Sequence, residues 1–365
     1  MLKLSHISKT FNPGTVNEKV AIRDLSLHLE KGDFATIIGS NGAGKSTMFN
    51  AICGDFLTDS GSVVLDGEDI TFLPQHARAK NIGRLYQDPM RGTAPGMTIL
   101  ENLALAAGQG GWLSRISKSD KQRFREQLAL LDIGLEDRMN HPVGLLSGGQ
   151  RQALTLLMAT MNPPKLLLLD EPFAAIDAKI RTELRSWLKD MIEKLGITSI
   201  FVTHDQDEAI EVADEIIITN RGRIEQKGTP LEVYQNPDTA FTAGFFGQTS
   251  VIDDYQVFNH FEEVPGGEKA IVRPEFVKVT KKNEEQKYKS SATEGVVERV
   301  AFRGSSLELK VRVGDTVLSA RRSLDEEPVR EGEVVDVFVQ RIFVTKGNEA
   351  VLLHNTAMVE DWLVI

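Results

Sequence analysis

The feature that most constrains the fold is a nine-residue stretch, GSNGAGKST, at residues 39–47 of the chain. It matches the phosphate-binding pattern G-x-x-x-x-G-K-[ST] at every fixed position. Residues 34–38 before it are mostly apolar and predict a buried strand, whereas residues 46–52 after it predict a helix. A strand, a glycine-rich loop and a helix in this order are the setting that the pattern requires. The sequence therefore predicts an α/β domain with a site for the phosphates of a nucleotide.

The residue types in this loop suit the binding of phosphate. Glycines let backbone N–H groups turn inward around phosphate oxygens at positions where side chains would crowd them. The helix that begins near Lys45 adds the positive end of its dipole. We expect Lys45 to reach the β- and γ-phosphates and the Ser46 hydroxyl to ligate Mg²⁺. The expected nucleotide-binding residues of the loop are Gly39, Ser40, Asn41, Gly42, Ala43, Gly44, Lys45, Ser46 and Thr47.

A second group of candidate residues follows the run of four leucines at residues 166–169. Four apolar residues without alternation are typical of a strand buried on both faces, as in the middle of a parallel sheet. The strand delivers Asp170 and Glu171 at its carboxyl end, where ligands bind in such sheets. We expect Asp170 to hold Mg²⁺. Glu171 is too close to be a second equal ligand and is expected to orient or deprotonate an attacking water, the alternative being a structural role for both carboxylates.

Three further side chains are placed to serve the same site. Gln87 follows a short strand at residues 82–86, and its amide can reach the metal or the water. His204 follows an apolar strand at residues 199–203 and is expected to contact the γ-phosphate. Phe11 follows the first strand and is a candidate for stacking on an adenine ring, the alternative being an ordinary hydrophobic contact. The expected catalytic residues are thus Glu171, His204 and Gln87, and the expected metal ligands are Ser46, Gln87 and Asp170.

Composition limits the class of protein and its partners. The net charge of −10 argues against a general nucleic-acid surface, which favours a basic balance. The single cysteine, Cys53, excludes an intrachain disulfide, and its apolar neighbours predict a packed thiol rather than a reactive one. No apolar run approaches the roughly 20 residues that span a bilayer. We therefore expect a cytosolic protein that binds no nucleic acid and reaches a membrane only through another protein.

The chain is long enough for two or three domains, and its hydrophobic periodicity changes along its length. Candidate helices lie at residues 97–107 and 118–131, with Trp112 between them, placed either to anchor a partner or to pack on its own helices. Beyond residue 240, apolar residues alternate with polar ones, which predicts the short strands of a small β-barrel. The expected domains are residues 1–240, with a helical region at about 88–160, and residues 241–365.

The sequence LSGGQ at residues 146–150 lies closely ahead of the leucine-rich strand. With the loop at residues 39–47, Gln87 and His204 in the same order, it resembles the signature of ATP-binding cassette (ABC) proteins over roughly residues 1–240. The resemblance implies a P-loop NTPase cassette, in which a RecA-like core carries an antiparallel β subdomain and a helical subdomain. It also implies a head-to-tail pair with two ATP molecules between the subunits. The nucleotide-binding residues that it adds are Ser147, Gly148, Gly149, Gln150 and Asp177.

In such a pair, Ser147 and Gly149 of one subunit bind the γ-phosphate that Lys45 of the other subunit holds. A Ser-Gly-Gly turn at the N-terminus of a helix is itself suited to an anion. Because this chain already carries a phosphate loop, a second half-site makes sense if it serves a partner copy. Asp177 can also cap the helix that follows it.

The C-terminal part resembles a more specific group. Gly228-Thr229-Pro230, Tyr234, Asn236-Pro237 and Arg273-Pro274-Glu275 look like the importer ATPases for sulfate, molybdate, iron, polyamines and sugars. Residues 1–170 look more like the shorter cassettes of amino-acid-type importers. The resemblance implies an all-β, OB-like (TOBE-type) regulatory domain, integral-membrane permease partners and, indirectly, an extracytoplasmic solute-binding protein. It further implies peripheral attachment to the cytoplasmic face of the cell membrane.

Two other functions fit parts of the sequence. A non-transport cassette of DNA repair or translation would use the same hydrolysis, but such proteins carry long coiled coils or two cassettes, and neither pattern is present. A small-anion sensor would use arginines of the C-terminal part, although solvated surface arginines are the simpler interpretation. The candidates are Arg273, Arg303, Arg321 and Arg322. The transported solute stays open among an inorganic anion, a metal, a polyamine and an amino acid.

Overall fold

The computed structural model describes residues 1–108, 116–174, 176–285 and 287–358, so Trp112 lies outside the described residues. The chain divides into two compact units, Met1–Pro230 and Leu231–Ile365. This division falls somewhat before the boundary at residues 240/241 that we expect from the sequence. Across the described ranges, no helix is both long enough and apolar enough to cross a membrane.

The first unit mixes strands and helices. Its strands are β1 (Leu2–Phe11), β2 (Lys19–Leu29), β3 (Phe34–Gly39), β4 (Ser60–Leu65), β5 (Glu68–Asp69), β6 (Ile82–Leu85), β7 (Leu166–Asp170), β8 (Thr198–Val202), β9 (Glu215–Asn220) and β10 (Arg223–Gly228). Its helices are α1 (Lys45–Cys53), α2 (Gln75–Arg78), α3 (Ile99–Ala106), α4 (Lys118–Ala129), α5 (Gly148–Met161), α6 (Ala178–Leu195) and α7 (Gln206–Val212).

A six-stranded sheet in the order β10-β9-β3-β8-β7-β6 forms the centre of this unit. All its pairs are parallel except the hairpin of β9 and β10. The four leucines of β7 are fully buried, which confirms the strand buried on both faces. The strands expected before the phosphate loop and before His204 are also confirmed, as β3 and β8. Because parallel strands end at one edge of a sheet, their following residues gather there.

A second, antiparallel sheet in the order β2-β1-β4-β5 covers one side of this centre. Helix α1 lies between the two sheets, because its buried Met48, Phe49 and Ile52 share one core with residues of β1, β3 and β7. Cys53 is buried at the end of α1, and this burial raises the pKa of its thiol to about 11. The packed, unreactive thiol expected from the sequence is therefore confirmed.

The helical region packs on a different core, which joins α3, α4 and α5 to β7 and α6. The first two of these helices begin with capping boxes. Thr98 pairs with Glu101 before α3, and Ser117 pairs with Asp120 before α4, so backbone N–H groups at each helix start are bonded. Helices α3 and α4 confirm the two candidate helices expected at residues 97–107 and 118–131.

The second unit contains α8 (Pro230–Gln235) from its second residue onward and α9 (Ala240–Phe245), followed by strands and short 3-10 helices. The strands are β11 (Ser250–Ile252), β12 (Lys269–Val272), β13 (Val277–Lys281), β14 (Thr293–Phe302), β15 (Ser306–Val313), β16 (Thr316–Ser323), β17 (Val334–Val339), β18 (Arg341–Lys346) and β19 (Glu349–His354). They form two antiparallel sheets, β11-β12-β18-β19 and β13-β17-β14-β15-β16, around one apolar core. The alternating pattern thus gives a curled half-barrel in which Leu309, Val311 and Val313 face inward.

The four arginines considered for an anion sensor separate into two kinds. Arg303 and Arg321 are exposed, as expected of solvated surface arginines. Arg273 and Arg322 are buried, so the surface interpretation is wrong for these two. Arg322 donates to the carbonyl oxygens of Val279 and Glu327 and to the Glu284 carboxylate. Its donors are therefore engaged by the protein itself, as is usual for a buried charge.

Arg273 is held differently. Its guanidinium lies over the rings of Tyr234, Phe246 and Phe343, with 4.2 Å to the centroid of Tyr234, and donates to the Tyr234 and Ala243 carbonyl oxygens. Aromatic faces attract a cation that has lost its water. These contacts make Arg273 a structural residue that joins α8 and α9 to the half-barrel, and they leave the anion-sensor hypothesis without two of its four arginines.

Candidate functional site

The phosphate loop joins the end of β3 to the start of α1. Gly42 and Gly44 have left-handed backbones, with φ of 79° and 97°, and Gly44 occupies the position before the first helical residue. Such backbones are easy for glycine and strained for other residues. The helix begins at Lys45, as the sequence predicts, so its first N–H groups are directed into the loop.

Close packing also fixes two of the loop's glycines. A Cβ on Gly39 would lie 2.1 Å from the carbonyl oxygen of Thr219, and one on Gly44 would lie 2.6 Å from that of Ala21. The turn after β9 supports the loop from the same side, because the Gly222 N–H donates to the Ala43 carbonyl oxygen at 3.0 Å. No motif in the sequence pointed to Gly222 or to Ala21.

We expect Gly39→Ala to destabilise the protein by about 1–3 kcal/mol, because its Cβ has no room beside Thr219. Gly96→Ala is the matched control, since a Cβ there has no heavy atom within 4 Å. The measurement is the free energy of unfolding in urea without nucleotide. Equal stability of the two variants would contradict the close approach of β3 and β9.

Lys45 lies at the base of the loop, half-buried. Its Nζ donates to the carbonyl oxygens of Gly39 and Ser40 at 2.8 and 3.2 Å. Burial lowers the pKa of Lys45, and the nearby carboxylates of Glu171 and Asp170 oppose that shift. The ammonium thus stands between the backbone of its own loop and the acidic end of β7.

An open cavity of about 250 Å³ lies over the loop. Glu171 lines it together with the loop residues, so the structure brings the two predicted motifs to one cavity. Lys19 and Ala21 on β2 also line it, although no sequence signal marked them. The loop residues that line it are Asn41, Gly42, Ala43, Gly44, Lys45, Ser46 and Thr47.

Asp170 and Glu171 occupy different environments although they are neighbours in the chain. Burial and the like charge of Glu171 raise the pKa of Asp170, while Arg84 and Lys45 oppose that shift. Glu171 has a left-handed backbone, with φ of 46°, and its N–H donates to the Val202 carbonyl oxygen at 2.9 Å. Positive φ is uncommon for a residue with a side chain and concentrates at functional sites.

The Glu171 carboxylate lies between the two other residues that we expect to be catalytic. Its Oε2 accepts a hydrogen bond from Gln87 Nε2 at 2.7 Å. Its Oε1 lies 3.2 Å from His204 Nδ1. The Glu171 side chain is 19% exposed and that of His204 is 65% exposed. Three residues from three adjacent strand ends thus meet at one carboxylate, which is open enough to contact a water.

The residues expected to hold Mg²⁺ offer suitable donors. Ser46 supplies an exposed hydroxyl, Gln87 an amide oxygen that its bond to Glu171 leaves available, and Asp170 a half-buried carboxylate. Mg²⁺ prefers oxygen donors and takes few of them from the protein when phosphates and waters supply the rest. Three oxygen donors beside a phosphate loop fit that requirement.

The signature residues lie at the start of α5. Ser147 caps this helix in a capping box with Gln150: its hydroxyl accepts from the Gln150 N–H at 3.2 Å. Ser147 and Gly148 are exposed, and Gly149 and Gln150 are half-buried. In the described part of the chain, none of the four lines the cavity over the phosphate loop. They therefore form a separate helix N-terminus that is open to solvent.

Two other expected nucleotide-binding residues are placed as follows. The Phe11 ring is half-buried and meets the edge of Phe56, with 5.3 Å between centroids, so it makes the ordinary hydrophobic contact named as the alternative. This contact leaves the stacking prediction untested.

Asp177 occupies the position before α6, but its side chain makes no capping hydrogen bond with the helix residues that the structure describes. Neither Phe11 nor Asp177 lines the cavity in the described ranges.

Comparison with known proteins agrees with this geometry. Residues 22–174 match the ABC transporter family, and residues 270–341 match the TOBE domain family. The spermidine/putrescine import ATP-binding protein PotA of Clostridium novyi (strain NT) is 32% identical over 363 residues, which cover 95% of this chain and 98% of that protein. One relative thus spans both the part that resembles shorter cassettes and the C-terminal part.

Solved structures match the first part of the chain. A dimeric structure of a post-hydrolysis state of the ATP-binding cassette MJ0796, bound to ADP and Pi, has a TM-score of 0.56 at 29% identity and covers 63% of this chain and 99% of its own. The structure of cbiO1 from Clostridium perfringens, part of the ABC transporter complex cbiONQ, has a TM-score of 0.55 at 27% identity and covers 64% and 90%. These matches confirm the cassette fold.

The fold and the site together define an ATP-hydrolysing cassette with an OB-like domain after it. The chain belongs to the ABC transporter family of ATP-binding proteins. Its relatedness over nearly its whole length makes it an importer-type ATPase, as the sequence resemblance implied.

Proposed function

We propose that this chain is the energy-coupling subunit of an ABC import system for polyamines, acting as a head-to-tail dimer on separate permease subunits. The position of the Glu171 carboxylate supports the proposed ATP hydrolysis. Glu171 lines the phosphate-loop cavity, and Gln87 and His204 each contact one of its two carboxylate oxygens. A carboxylate so placed can accept a proton from a water that attacks the γ-phosphate. This arrangement supports the hydrolysis of ATP at this site.

Each residue has one task in this proposal. The N–H groups of the loop and Lys45 hold the phosphates, and Lys45 neutralises charge on them. Gln87 and His204 fix the orientation of Glu171, which orients the water and takes its proton. Ser46, Gln87 and Asp170 hold Mg²⁺, which supplies charge neutralisation on the phosphate oxygens when bound. The left-handed backbone of Glu171 turns its side chain from the line of β7 toward the cavity.

The position of the signature residues supports the proposed dimer. The exposed Ser147 and the half-buried Gly149 lie at a helix N-terminus, and neither lines the chain's own cavity among the described residues. Such a terminus favours an anion. We assign it to the γ-phosphate held by Lys45 of a second copy. The solved structures of the related MJ0796 cassette are dimeric, which supports a pair of copies here.

The substrate class and the location rest on the relative of known role. The 32% identical protein is named for the import of spermidine and putrescine, so polyamines are favoured over the anions, metals and amino acids that the sequence left open. In this role the chain attaches to the cytoplasmic face of a permease, and an extracytoplasmic binding protein delivers the solute. The non-transport alternative in DNA repair or translation has no observation in its favour.

The test is uptake of labelled spermidine by cells that lack this chain and receive either the wild-type chain or Glu171→Gln. We expect uptake only with the wild-type chain. Labelled sulfate, molybdate, iron and amino acids, measured in parallel, test the competing solutes. Equal spermidine uptake in the two strains would contradict the proposed coupling, and restored uptake of another solute alone would contradict the polyamine assignment.

A further inference from the structure

Two polar residues of α5 follow directly after the signature, and their side chains point into the protein. Gln152 is 1% exposed and Arg151 is half-buried. Burying a polar side chain costs free energy unless it finds partners, so the partners of these two residues indicate why they are there. Neither belongs to the nucleotide-binding residues expected from the sequence.

Gln152 reaches the residue just before Gln87. Its Nε2 donates to the carbonyl oxygen of Tyr86 at 3.5 Å, and its Oε1 is buried with no partner among the residues that the structure describes. The Tyr86 ring is in turn held between the guanidinium groups of Arg84 and Arg91, each 4.7 Å from its centroid. The Tyr86 ring is therefore held by residues on both sides of Gln87 in the same segment, and the Gln152 hydrogen bond links that segment to α5.

Arg151 reaches the other side of Gln87. Its Nη1 donates to the sulfur of Met90. Its Nη2 donates to the carbonyl oxygens of Val143, Gly144 and Leu146, at 3.3, 3.1 and 3.2 Å. One guanidinium thus ties the turn after Gln87 to the segment that leads into Ser147.

We propose that Arg151 and Gln152 are positioning residues that couple Gln87 to the signature serine. Consecutive residues at the start of α5 contact residues 86 and 90, so they hold the segment of Gln87 at both ends. A movement of Gln87 toward or away from Glu171 therefore displaces α5, which begins after Ser147. A displacement of α5 likewise moves Gln87. This inference rests on the proposed function, because it uses Gln87 as the residue that orients Glu171.

Further along α5, the same segment approaches the helix closely at one point, where a Cβ on Gly92 would lie 3.0 Å from Thr155 Cγ2. A cavity of about 200 Å³ lies between this segment and α5, lined by Leu85, Asp88, Thr155 and Met158 among others. Close-packed surfaces transmit displacement, whereas the atoms around a void lack partners on one side. Arg151 and Gln152 supply the polar contacts at the signature end of the helix, in addition to the contact of Gly92 with Thr155.

The test is a double-mutant cycle between Gln152→Met, which keeps the side-chain volume, and Gln87→Ala. We expect each single variant to lower kcat for ATP about tenfold, and the double variant to lose about tenfold rather than about a hundredfold, because both changes break one link. The KM for MgATP should change less than about twofold in Gln152→Met, since Gln152 does not contact the nucleotide cavity. A merely structural role would lower stability without this non-additivity.

Control variants on α4 test whether the loss of kcat is specific to α5, and a second variant replaces Gln152→Met if that variant does not fold. Gln122→Met on α4 removes an exposed glutamine that bonds only locally to Glu126 in the described structure, and it should leave kcat unchanged. If Gln152→Met fails to fold, the same cycle is run with the half-buried Arg151→Met, with Arg125→Met on α4 as its control. Two results would overturn the coupling. One is a loss of kcat in the double variant that equals the product of the losses in the two single variants. The other is a loss of kcat in the single variants that is no larger than in the controls. Either result would leave the proposed function intact if Glu171→Gln remains inactive. A wild-type rate of ATP hydrolysis in Glu171→Gln would refute the proposed function itself.

Discussion

Glu171→Gln is expected to lower kcat for ATP hydrolysis by about a hundredfold or more, the range for losing a positioned general base. The amide has nearly the same shape as the carboxylate and can still meet Gln87 and His204, but it cannot take a proton from water. Nucleotide affinity should be unchanged or higher, because we assign the phosphate contacts to residues 39–47. The measurement is steady-state phosphate release together with equilibrium ATP binding.

The matched control is Glu183→Gln, which changes an exposed glutamate on α6. It should hydrolyse ATP at the wild-type rate, since a surface carboxylate contributes little. A Glu171→Gln variant with wild-type turnover would assign the base to another residue. A variant that no longer binds ATP would instead give Glu171 a structural role, which is the alternative that the sequence left open for the Asp-Glu pair.

Ser147→Asp should lower hydrolysis by about a hundredfold without affecting the ATP affinity of a single chain. Aspartate caps a helix as well as serine does, so α5 should keep its start. Its charge, however, would face the γ-phosphate held by the other copy. Ser147 does not line its own chain's cavity among the described residues. The substitution should therefore lower the hydrolysis rate of the dimer and leave ATP binding by a single chain unchanged.

Ser117→Asp is the matched control. Ser117 is exposed, as Ser147 is, and caps α4 in a capping box of the kind that Ser147 forms before α5. Its hydrolysis rate should stay at the wild-type level. Weaker ATP binding by dilute Ser147→Asp would place Ser147 at its own chain's site and would contradict the shared site. An unchanged rate in the Ser147→Asp dimer would contradict it as well.

The sequence predicted the strand ends well because apolar runs record burial directly. The four leucines of β7 and the loop after β3 placed Asp170, Glu171 and Lys45 at one edge of a parallel sheet. The contact of Gln87 and His204 with the same carboxylate needed the strand order β8-β7-β6, which pairs segments far apart in the chain. Local patterns do not specify that order, so this detail came only from the structure.

Other features left no local signal at all. Gly222 supports the phosphate loop through a hydrogen bond to Ala43, a contact between distant turns. Arg273 and Arg322 look like surface residues in sequence, yet carbonyl oxygens and aromatic rings from distant segments bury them. A charged residue is mostly exposed unless the tertiary fold supplies partners, and the partners cannot be read from its neighbours in the chain.

The central claim is that each ATP site combines the phosphate loop of one copy with the signature helix of another. Site-directed crosslinking tests it most directly, with Ser40→Cys in one chain and Ser147→Cys in a second, differently tagged chain. Both positions are exposed, and the native Cys53 is buried with a raised thiol pKa, so a bismaleimide will not react there.

In the Glu171→Gln background, we expect ATP to produce a crosslinked product that contains one chain of each kind. Little of it should form without nucleotide or when both chains carry Lys45→Ala in addition. A chain that carries both cysteines should likewise crosslink to a second chain rather than to itself. Crosslinks within single chains, or a yield that does not depend on ATP, would contradict the shared site.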